Sequence, residues 1–235
     1  MLKQLTAAIL GSSMLLAAPL AAQAQTIDAL AINTRDYIVT GIDLRKCAFP
    51  MCGGYFVKAV NQGLTRCADG SLQKQCHVPV VDTSQRGWTD KDRAAFTDAF
   101  AQGHALARGI LRTVTNPSTG VKVDTLVVGS GWLGQASSKP TGLFYGLKSS
   151  GIVCITYPCP TITETTLNFP AKRNIAGLNL SSAGATPEQV EAGNQALFGS
   201  GLLAAGVHKT ISGPAGQGQQ LVASEFYLLV PDMIR

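Results

Sequence analysis

Two cysteine pairs with the same spacing constrain this chain more than any other feature. Cys47-Ala-Phe-Pro-Met-Cys52 and Cys154-Ile-Thr-Tyr-Pro-Cys159 both have the pattern C-x4-C, and they lie 107 positions apart. The same offset pairs Val60-Asn61 with Leu167-Asn168. Because similarity at a fixed offset is typical of a repeated structural unit, the sequence predicts an internal duplication.

Further along the chain the offset changes, which locates an insertion in the first copy. The offset falls to 97, where Val78 and Val81 correspond to Ile175 and Leu178. The difference of ten residues equals the length of the segment from Cys67 to Cys76. The first copy therefore carries a cysteine-closed insertion that the second copy lacks.

Each copy has the pattern strand, C-x4-C turn, strand, strand, helix, strand, strand. Thr186-Pro-Glu-Gln189 is a capping box with proline at the first helical position, and Thr89 with Asp92 is a weaker helix start. Gly103 and Gly199 are the predicted helix ends. A single helix must bury its apolar stripe against another element. We therefore predict an α+β fold of two disulfide-stapled units related by a pseudo-twofold axis, with mostly antiparallel sheets each covered by one helix.

The amino terminus has the pattern of an export signal. Lys3 precedes an apolar run from Leu5 to Ala22, which ends at Ala22-Gln23-Ala24. This arrangement is typical of a secretory signal peptide with an A-x-A cleavage site. We predict cleavage after Ala24 and a bacterial periplasmic or secreted protein. No later run approaches the roughly 20 apolar residues of a membrane span, so no transmembrane segment is expected after cleavage.

These patterns together predict the organisation of the chain. It comprises a signal peptide (1–24), an N-terminal segment (25–35), a first repeat unit with the Cys67–Cys76 insertion (36–138) and a second repeat unit (139–235). Lys139-Pro-Thr-Gly142 is the predicted junction, and its shortness argues against free movement between the units.

The six cysteines are predicted to form three local disulfides, Cys47–Cys52, Cys67–Cys76 and Cys154–Cys159. An exported protein meets an oxidising compartment, where disulfides are the usual state. Two alternatives remain open. A metal site is disfavoured because the spacing is not that of zinc ligands and His77 is the only histidine nearby. A redox pair is disfavoured because C-x-x-C beside a βαβ pattern is absent.

Familiar catalytic motifs are absent or incomplete. The segment Gly129-Ser-Gly-Trp-Leu-Gly134 matches G-x-G-x-x-G, but no helix pattern follows it. His77, His104 and His208 do not recur at matching repeat positions, and neither G-x-S-x-G nor H-E-x-x-H occurs. We predict no catalytic, cofactor-binding or metal-binding residue.

Glu164 and Glu225 are the only glutamates in predicted strands. One strand carboxylate at each place does not make an acid and base pair. We therefore expect both side chains to face solvent.

The charge pattern disfavours nucleic acid as a partner. The 235 residues carry a net charge of +5, and only 14% are charged. Arg45-Lys46 and Lys172-Arg173 are the only adjacent basic pairs. A nucleic-acid binder usually has a dense basic stripe with interleaved aromatic residues. We expect no nucleic-acid binding.

The interiors of the two C-x4-C segments are the remaining functional candidates. The candidate partner-binding residues are Phe49, Pro50, Met51, Ile155, Tyr157 and Pro158. A preorganised loop loses little entropy on binding, and aromatic anchors are frequent interface hot spots. The hypothesis is a non-enzymatic binding module, inhibitor-like in design, whose partner is an unknown protein or envelope component.

Two other interpretations stay open. In the first, these apolar loop residues cap the ends of the sheet and contact no partner. In the second, the protein is a hydrolase with an unrecognised site in the groove between the two units. A deep pocket that holds His104 or His208 beside a carboxylate would favour the hydrolase.

Three segments resemble the hallmark segments of a known family. Arg45 to Asn61, Thr65 to Gly70 and Gly151 to Pro160 are similar to those of an uncharacterised bacterial domain-of-unknown-function family. The resemblance spans roughly Asp36 to Val230. It implies an exported, cysteine-containing protein and supplies no activity, cofactor or catalytic residue.

Overall fold

A computed structural model describes residues 34–116, 119–136 and 138–233. Strands account for 47% of the structure and helices for 14%. The predicted signal peptide and its cleavage site lie outside the described residues. Within the described part, no helix is both long enough and apolar enough to cross a membrane.

Among the described residues, the first half of the chain contains eight strands and one helix. They are β1 (Arg35–Ile42), β2 (Tyr55–Ala59), β3 (Thr65–Arg66), β4 (Leu72–Gln73), β5 (Cys76–Val78), β6 (Val80–Asp82), α1 (Asp90–Ala101), β7 (Ala105–Thr115) and β8 (Lys122–Gly134).

The second half, as far as residue 233, contains six strands, a 3-10 helix and an α-helix. They are β9 (Leu143–Ser149), β10 (Ile162–Thr166), β11 (Lys172–Ile175), β12 (Gly177–Asn179), the 3-10 helix Ser181–Ala183, α2 (Pro187–Phe198), β13 (Leu202–Gly213) and β14 (Gly216–Leu229).

Twelve strands form one sheet, and β3 with β4 forms a separate hairpin. Ten of the twelve follow the order β11-β10-β9-β13-β14-β8-β7-β1-β2-β5, with antiparallel neighbours, while β6 and β12 pair in parallel with β8 and β14. The long strands β8 and β14 meet at the centre, where Trp132 pairs with Leu229. Outward from this centre, the strand order is the same in both halves.

Both helices begin as the sequence predicts. The Thr89 side chain accepts a hydrogen bond from the Asp92 amide at the start of α1, and Thr186 with Gln189 forms a capping box at the start of α2. Each helix buries only two side-chain positions, however. These are Phe96 and Phe100 in α1, and Gly193 and Leu197 in α2.

Strand alternation separates the core into two faces of the sheet. In β7, Ala105 and Ala107 pack in the core beneath α1, whereas Leu106 points to the opposite face. The equivalent core beneath α2 is built around Ala204 and Phe226. The opposite face has a core that both halves share: Val60, Leu106, Trp132, Leu167, Leu203 and Tyr227.

The α+β prediction, with one helix covering each of two sheets, is wrong. The structure is mostly β, with one large, mainly antiparallel sheet. The physical reason is that β8 and β14, at 13 and 14 residues, are long enough to pair with each other at the centre of the sheet. Because each helix buries so few side chains, the strands supply most of the packing.

Two asparagines connect the halves at one end of the sheet. Asn61 and Asn168 follow β2 and β10 with φ of 60° and 62°. The Asn61 Nδ2 donates to the Phe144 carbonyl at 2.7 Å, and its Oδ1 accepts from the Phe144 amide at 2.8 Å. Asn168 makes the same pair of bonds with Asp36, at 2.9 and 2.8 Å. Each half thus supplies a side chain that satisfies the backbone of the other.

Candidate functional site

The six cysteines form three disulfides, Cys47–Cys52, Cys67–Cys76 and Cys154–Cys159. The first and third close the loops that join β1 to β2 and β9 to β10; we call them the first loop (47–52) and the second loop (154–159). Both contain a cis peptide bond, before Pro50 and before Pro158. The prediction of disulfide bonding is supported, and the loops occupy equivalent places in the two halves.

Four of the six candidate loop residues are exposed. Ile155 is exposed as fully as in an isolated residue (103%), while Phe49, Met51 and Tyr157 are 59%, 66% and 51% exposed. Pro50 is half-buried and Pro158 is buried. Ile155 therefore covers no part of the sheet, whereas the Tyr157 ring lies against Gly213 and Pro158 against Gly218.

A buried carboxylate fixes the base of the first loop. Asp43 accepts from Nε and Nη2 of Arg45 at 2.9 and 2.8 Å, and His77 Nε2 lies 3.0 Å from its Oδ2. Arg45 Nη2 also donates to the Met51 carbonyl at 3.0 Å, and His77 donates to the Gly53 carbonyl at 2.7 Å. The hydrogen bonds from Arg45 hold the pKa of Asp43 well below its usual value. This network joins both ends of the loop to β1 and β5.

The second loop rests on the turn between β13 and β14. The Tyr157 carbonyl accepts from the Ala215 amide at 2.9 Å. Gly213 has no room for a side chain there, because a Cβ would lie 2.5 Å from the Tyr157 carbonyl oxygen. Next to the loop, Val153 is 91% exposed. We call Val153, Ile155 and Tyr157 the second-loop patch.

The expectation that Glu164 faces solvent is wrong. Its side chain is 2% exposed; Oε1 accepts from Arg173 Nε at 2.8 Å, and Oε2 lies 2.7 Å from His208 Nε2. The same histidine nitrogen also lies 2.7 Å from Arg173 Nη2, so the guanidinium and the carboxylate both contact it. The ring of Tyr145 packs edge-on against His208, with centroids 5.1 Å apart. No sequence motif announces this cluster, since its members lie on separate strands.

The same expectation is wrong for Glu225, which is completely buried. Its Oε1 accepts from the backbone amides of Gln135, Ala136 and Phe226 at 3.1, 2.8 and 2.8 Å. Its Oε2 has no hydrogen-bond partner within the described residues. Burial raises the pKa of Glu225, although these amide bonds oppose the shift. The carboxylate therefore holds the chain just after β8 against β14.

Each half has a cleft at the equivalent place. The first cleft has a volume of about 850 Å³, and its lining includes Ile38 to Gly41, Lys58, His104, Lys139 and Phe144. The second cleft measures about 400 Å³, and its lining includes Gly146 to Lys148, Thr165 and Ser200 to Leu203. The two clefts therefore differ about twofold in size.

Arg108 forms part of the wall of the second cleft. It holds Asp36 through two bonds, from Nε at 2.9 Å and Nη2 at 3.0 Å, and lies over the ring of Trp132 at 5.0 Å. Burial raises the pKa of Asp36, and the charge of Arg108 opposes the shift. Asp36 thus holds two nitrogens of the guanidinium, while the side chain remains 40% exposed.

The hydrolase interpretation needs a histidine and a carboxylate in one cleft. The first cleft contains His104, but its described lining residues include no aspartate or glutamate. His208 and Glu164 are paired, yet neither lines the first cleft, the second cleft or a smaller third cleft of about 250 Å³ beside the first loop. Among the residues that line these clefts, neither His104 nor His208 is joined by a carboxylate. His77 and Asp124 both line the third cleft, and the buried Glu225 lies near enough to His104 for their charges to interact.

The described residues contain no group of three or more histidine, cysteine, aspartate or glutamate side chains arranged to hold a metal ion. The candidate functional features of the described residues are therefore the two apolar loops and the two clefts. The ion pairs are internal to the protein.

Comparison with known proteins gives the relationship of the chain but no activity. Neither a curated protein nor a solved structure matches it. One family model, described as a domain of unknown function, matches residues 36–233. That match covers both loops, both clefts and every strand from β2 to β14. On this basis the chain belongs to the domain-of-unknown-function family DUF6748.

Proposed function

We propose that this protein is an exported, non-enzymatic binding module that docks a partner protein through the second-loop patch. The observation that carries the proposal is the almost complete exposure of Ile155 (103%) on a disulfide-closed loop and of Val153 (91%) directly before it. Contiguous exposed apolar side chains commonly mark interaction sites. Exposed to water and without a partner, these apolar side chains would be less favourable than polar ones.

The construction of the loop supports this proposal. The disulfide and the bond from the Ala215 amide to the Tyr157 carbonyl restrain the backbone before any partner arrives. Binding then costs little conformational entropy. No charged residue occurs from Gly151 to Pro160, which favours an apolar recess on a protein over a polyanion. Phe49 and Met51 give the first loop the same design, and it is a candidate for a second contact.

Export is part of the proposal. Three disulfides fit an oxidising compartment such as the periplasm or the exterior. The signal-peptide pattern and cleavage after Ala24 supply the route. The partner is accordingly a secreted or envelope protein.

We also infer that the halves are copies of one ancestral unit, with limits at 36–138 and 139–235. The matching strand order supports this. So do the bulges between Arg108 and Gly109 and between Ala205 and Gly206, which lie 97 positions apart. The two loops then descend from one loop, and a surface found in one is a candidate in the other.

Site-specific crosslinking in the native host tests the binding proposal. A photoreactive amino acid replaces Ile155, and a matched chain carries it at Lys91, which is exposed on α1 in the other half. We expect one partner protein to crosslink at position 155 and not at 91. Identical products at both positions, or crosslinking only to lipid, would contradict the proposal.

The captured partner is then purified and its affinity measured with I155S, Y157S and a control, F198S. Phe198 is also apolar and exposed, at 76%, but it lies at the end of α2. Loss of a hot-spot side chain costs about 2 kcal/mol, or roughly thirtyfold in affinity. The loop variants should lose this much and keep their thermal unfolding temperature, whereas F198S should bind normally. Loop variants that unfold, or bind as well as F198S, would refute the assignment.

A further inference from the structure

A row of directly paired residues crosses four strands of the second half. Leu203 of β13 pairs with Gly146 of β9, and Gly146 pairs with Thr165 of β10. Thr165 then pairs with Lys172 of β11. Directly paired residues have their side chains on the same face of a sheet. Because Leu203 belongs to the core that both halves share, the whole row lies on the face away from α2.

A second row lies two residues further along the same strands. Lys148 of β9 pairs with Thr163 of β10, and Thr163 pairs with Asn174 of β11. Side chains alternate along a strand, so both rows share one face. Neighbouring strands lie about 4.8 Å apart and alternate residues of one strand about 6.6 Å apart, which separates the backbones of Lys148 and Lys172 by about 12 Å. The register thus fixes two cations on one face, at separate positions.

The second cleft lies over these rows. Lys148, Thr163, Thr165 and Lys172 all line it, and its volume is about 400 Å³. Its described lining includes no aspartate or glutamate. Neither lysine takes part in an ion pair with another described residue, whereas the third cation of the cleft, Arg108, is paired with Asp36. The cleft therefore has two lysines whose charges no described side chain offsets.

Hydroxyl groups lie between the two lysines. Thr163 and Thr165 belong to the strand that separates β9 from β11, and Ser200 adds a third hydroxyl to the lining. A hydroxyl group both donates and accepts hydrogen bonds. The Thr163 hydroxyl donates to Asn174 Oδ1 at 3.0 Å and keeps its oxygen as an acceptor. The cleft therefore matches a ligand that carries separate anionic groups and also hydroxyl groups.

Two other kinds of polyanion fit this face poorly. An acidic peptide that is recognised by strand addition needs a free strand edge, but β9, β10 and β13 pair with one another beneath the cleft. Single-stranded nucleic acid needs aromatic rings on which its bases can stack. The aromatic residue of the described lining, Trp132, is only 7% exposed, and Arg108 lies over its ring at 5.0 Å. A sugar chain needs neither feature.

We propose that the second cleft binds an acidic oligosaccharide. One carboxylate of the ligand meets Lys148 and another meets Lys172, while sugar hydroxyls bond with the two threonines between them. The volume of about 400 Å³ falls in the range of ligand sites. The first half has no equivalent site, because Gly41 pairs with Phe56 at the ladder position 107 residues earlier. This site does not depend on the docking role of the second loop.

The probe is tetragalacturonate, compared with maltotetraose, which has as many sugar units and no charge. A third ligand is tetraglutamate with blocked ends, which carries as many side-chain carboxylates on a peptide. Amide resonances of the isotope-labelled, oxidised protein are followed during titration to about 5 mM of each, a range that detects millimolar binding. We expect tetragalacturonate to bind most tightly and to shift resonances of residues 146–148, 163–165 and 172. No binding of tetragalacturonate, or equal binding of either comparison ligand, would overturn the proposal.

Variants locate the site. K148Q and K172Q should each weaken tetragalacturonate binding about two- to fivefold, as expected for one exposed ion pair. The two losses should multiply in the double variant, because the positions are about 12 Å apart. K91Q is the matched control, since Lys91 is exposed on α1 in the first half. G146L should block the cleft without unfolding, because the atoms nearest to a Cβ at Gly146 lie 3.6 Å away. Equal losses in K91Q and the two cleft variants would overturn the assignment.

I155S separates this site from the docking role of the second loop. Ile155 is not among the described residues that line the second cleft. Oligosaccharide binding that survives I155S supports an independent cleft site. Binding that is lost with I155S, or resonance shifts confined to residues 152–159, would overturn the cleft site and leave the docking role to its own crosslinking test.

Discussion

The cores beneath the two helices occupy equivalent places but are filled from different positions of the chain. Beneath α1, the rings of Trp88 and Phe96 fill the space, and a Cβ at Gly131 would lie 2.6 Å from Phe96. Beneath α2, Phe226 fills it, and a Cβ at Gly193 would lie 2.9 Å from its ring. The ladder position that is glycine in β8 is therefore phenylalanine in β14.

This exchange shows what is preserved between the halves. Gly131 pairs with Ala107 and Phe226 pairs with Ala204, so the backbone registers agree although the side chains do not. Protein interiors tolerate changes of residue when the total packed volume is kept. The two halves share the packed side-chain volume beneath the helix. Whether a strand residue or a helix residue supplies that volume differs between them.

The largest expected effect comes from emptying one of these cores. F226A and W88A should each lower the free energy of unfolding by about 3–5 kcal/mol, the usual cost of truncating a buried ring. Urea denaturation measures it, with F198A as a control that should change little because Phe198 is 76% exposed. A cost for F226A no greater than that for F198A would remove Phe226 from the α2 core.

The packing found beneath α2 can be copied into the first half by substitution. G131F alone should destabilise by about 3 kcal/mol, because the new ring overlaps Phe96 and Trp88. Adding W88A and F96G recreates the arrangement beneath α2. The triple variant should recover part of the loss despite the helix cost of glycine, about 1 kcal/mol. A triple variant less stable than G131F would refute the volume exchange.

A smaller and equal effect is expected at the asparagine pair. N61A and N168A each leave the backbone of Phe144 or Asp36 without its side-chain partner. An unpaired buried backbone group costs about 1–3 kcal/mol. Chemical denaturation should give both variants the same loss within about 1 kcal/mol. A large difference would show that the halves are not joined symmetrically.

The smallest contrast depends on pH. The pKa of Asp43 is lowered by Arg45, so Asp43 contributes stability above its ordinary pKa of 3.8 that is lost as pH falls through the lowered value. The pKa of Glu225 is raised by burial, so its contribution is present below 4.5 and is lost as pH rises through the raised value.

Thermal unfolding of D43N and E225Q across pH separates these two cases. The deficit of D43N should be largest near neutral pH and shrink in acid. E225Q should improve relative to the parent chain as pH rises. The same trend in both variants would contradict the opposite shifts.

Features set by neighbouring residues could be predicted from the sequence. The helix start at Thr186 depends on Gln189 three positions later, and it is confirmed. The disulfide loops depend on spacings of five and nine residues. Both follow from local chemistry, which a single sequence displays directly.

Features set by distant residues could not be predicted. Pairing of Trp132 with Leu229 merges two expected sheets into one, and nothing in either strand specifies the other as its neighbour. The buried Glu225 accepts a hydrogen bond from the Gln135 amide, which lies 90 positions away in the sequence. Likewise, no residue pattern in β1 reveals that its pairing with β7 ends at Tyr37 and Ala107.

The asparagine bridges also have a consequence for how the chain is made. The Asp36 amide donates to Asn168, which lies 132 residues later in the chain. The amino-terminal half therefore cannot form this hydrogen bond until Asn168 has been synthesised. Contacts so distant in sequence form slowly. A chain that crossed a membrane during its synthesis would therefore stay incompletely folded until its last third followed. Only then could the two asparagine bridges form.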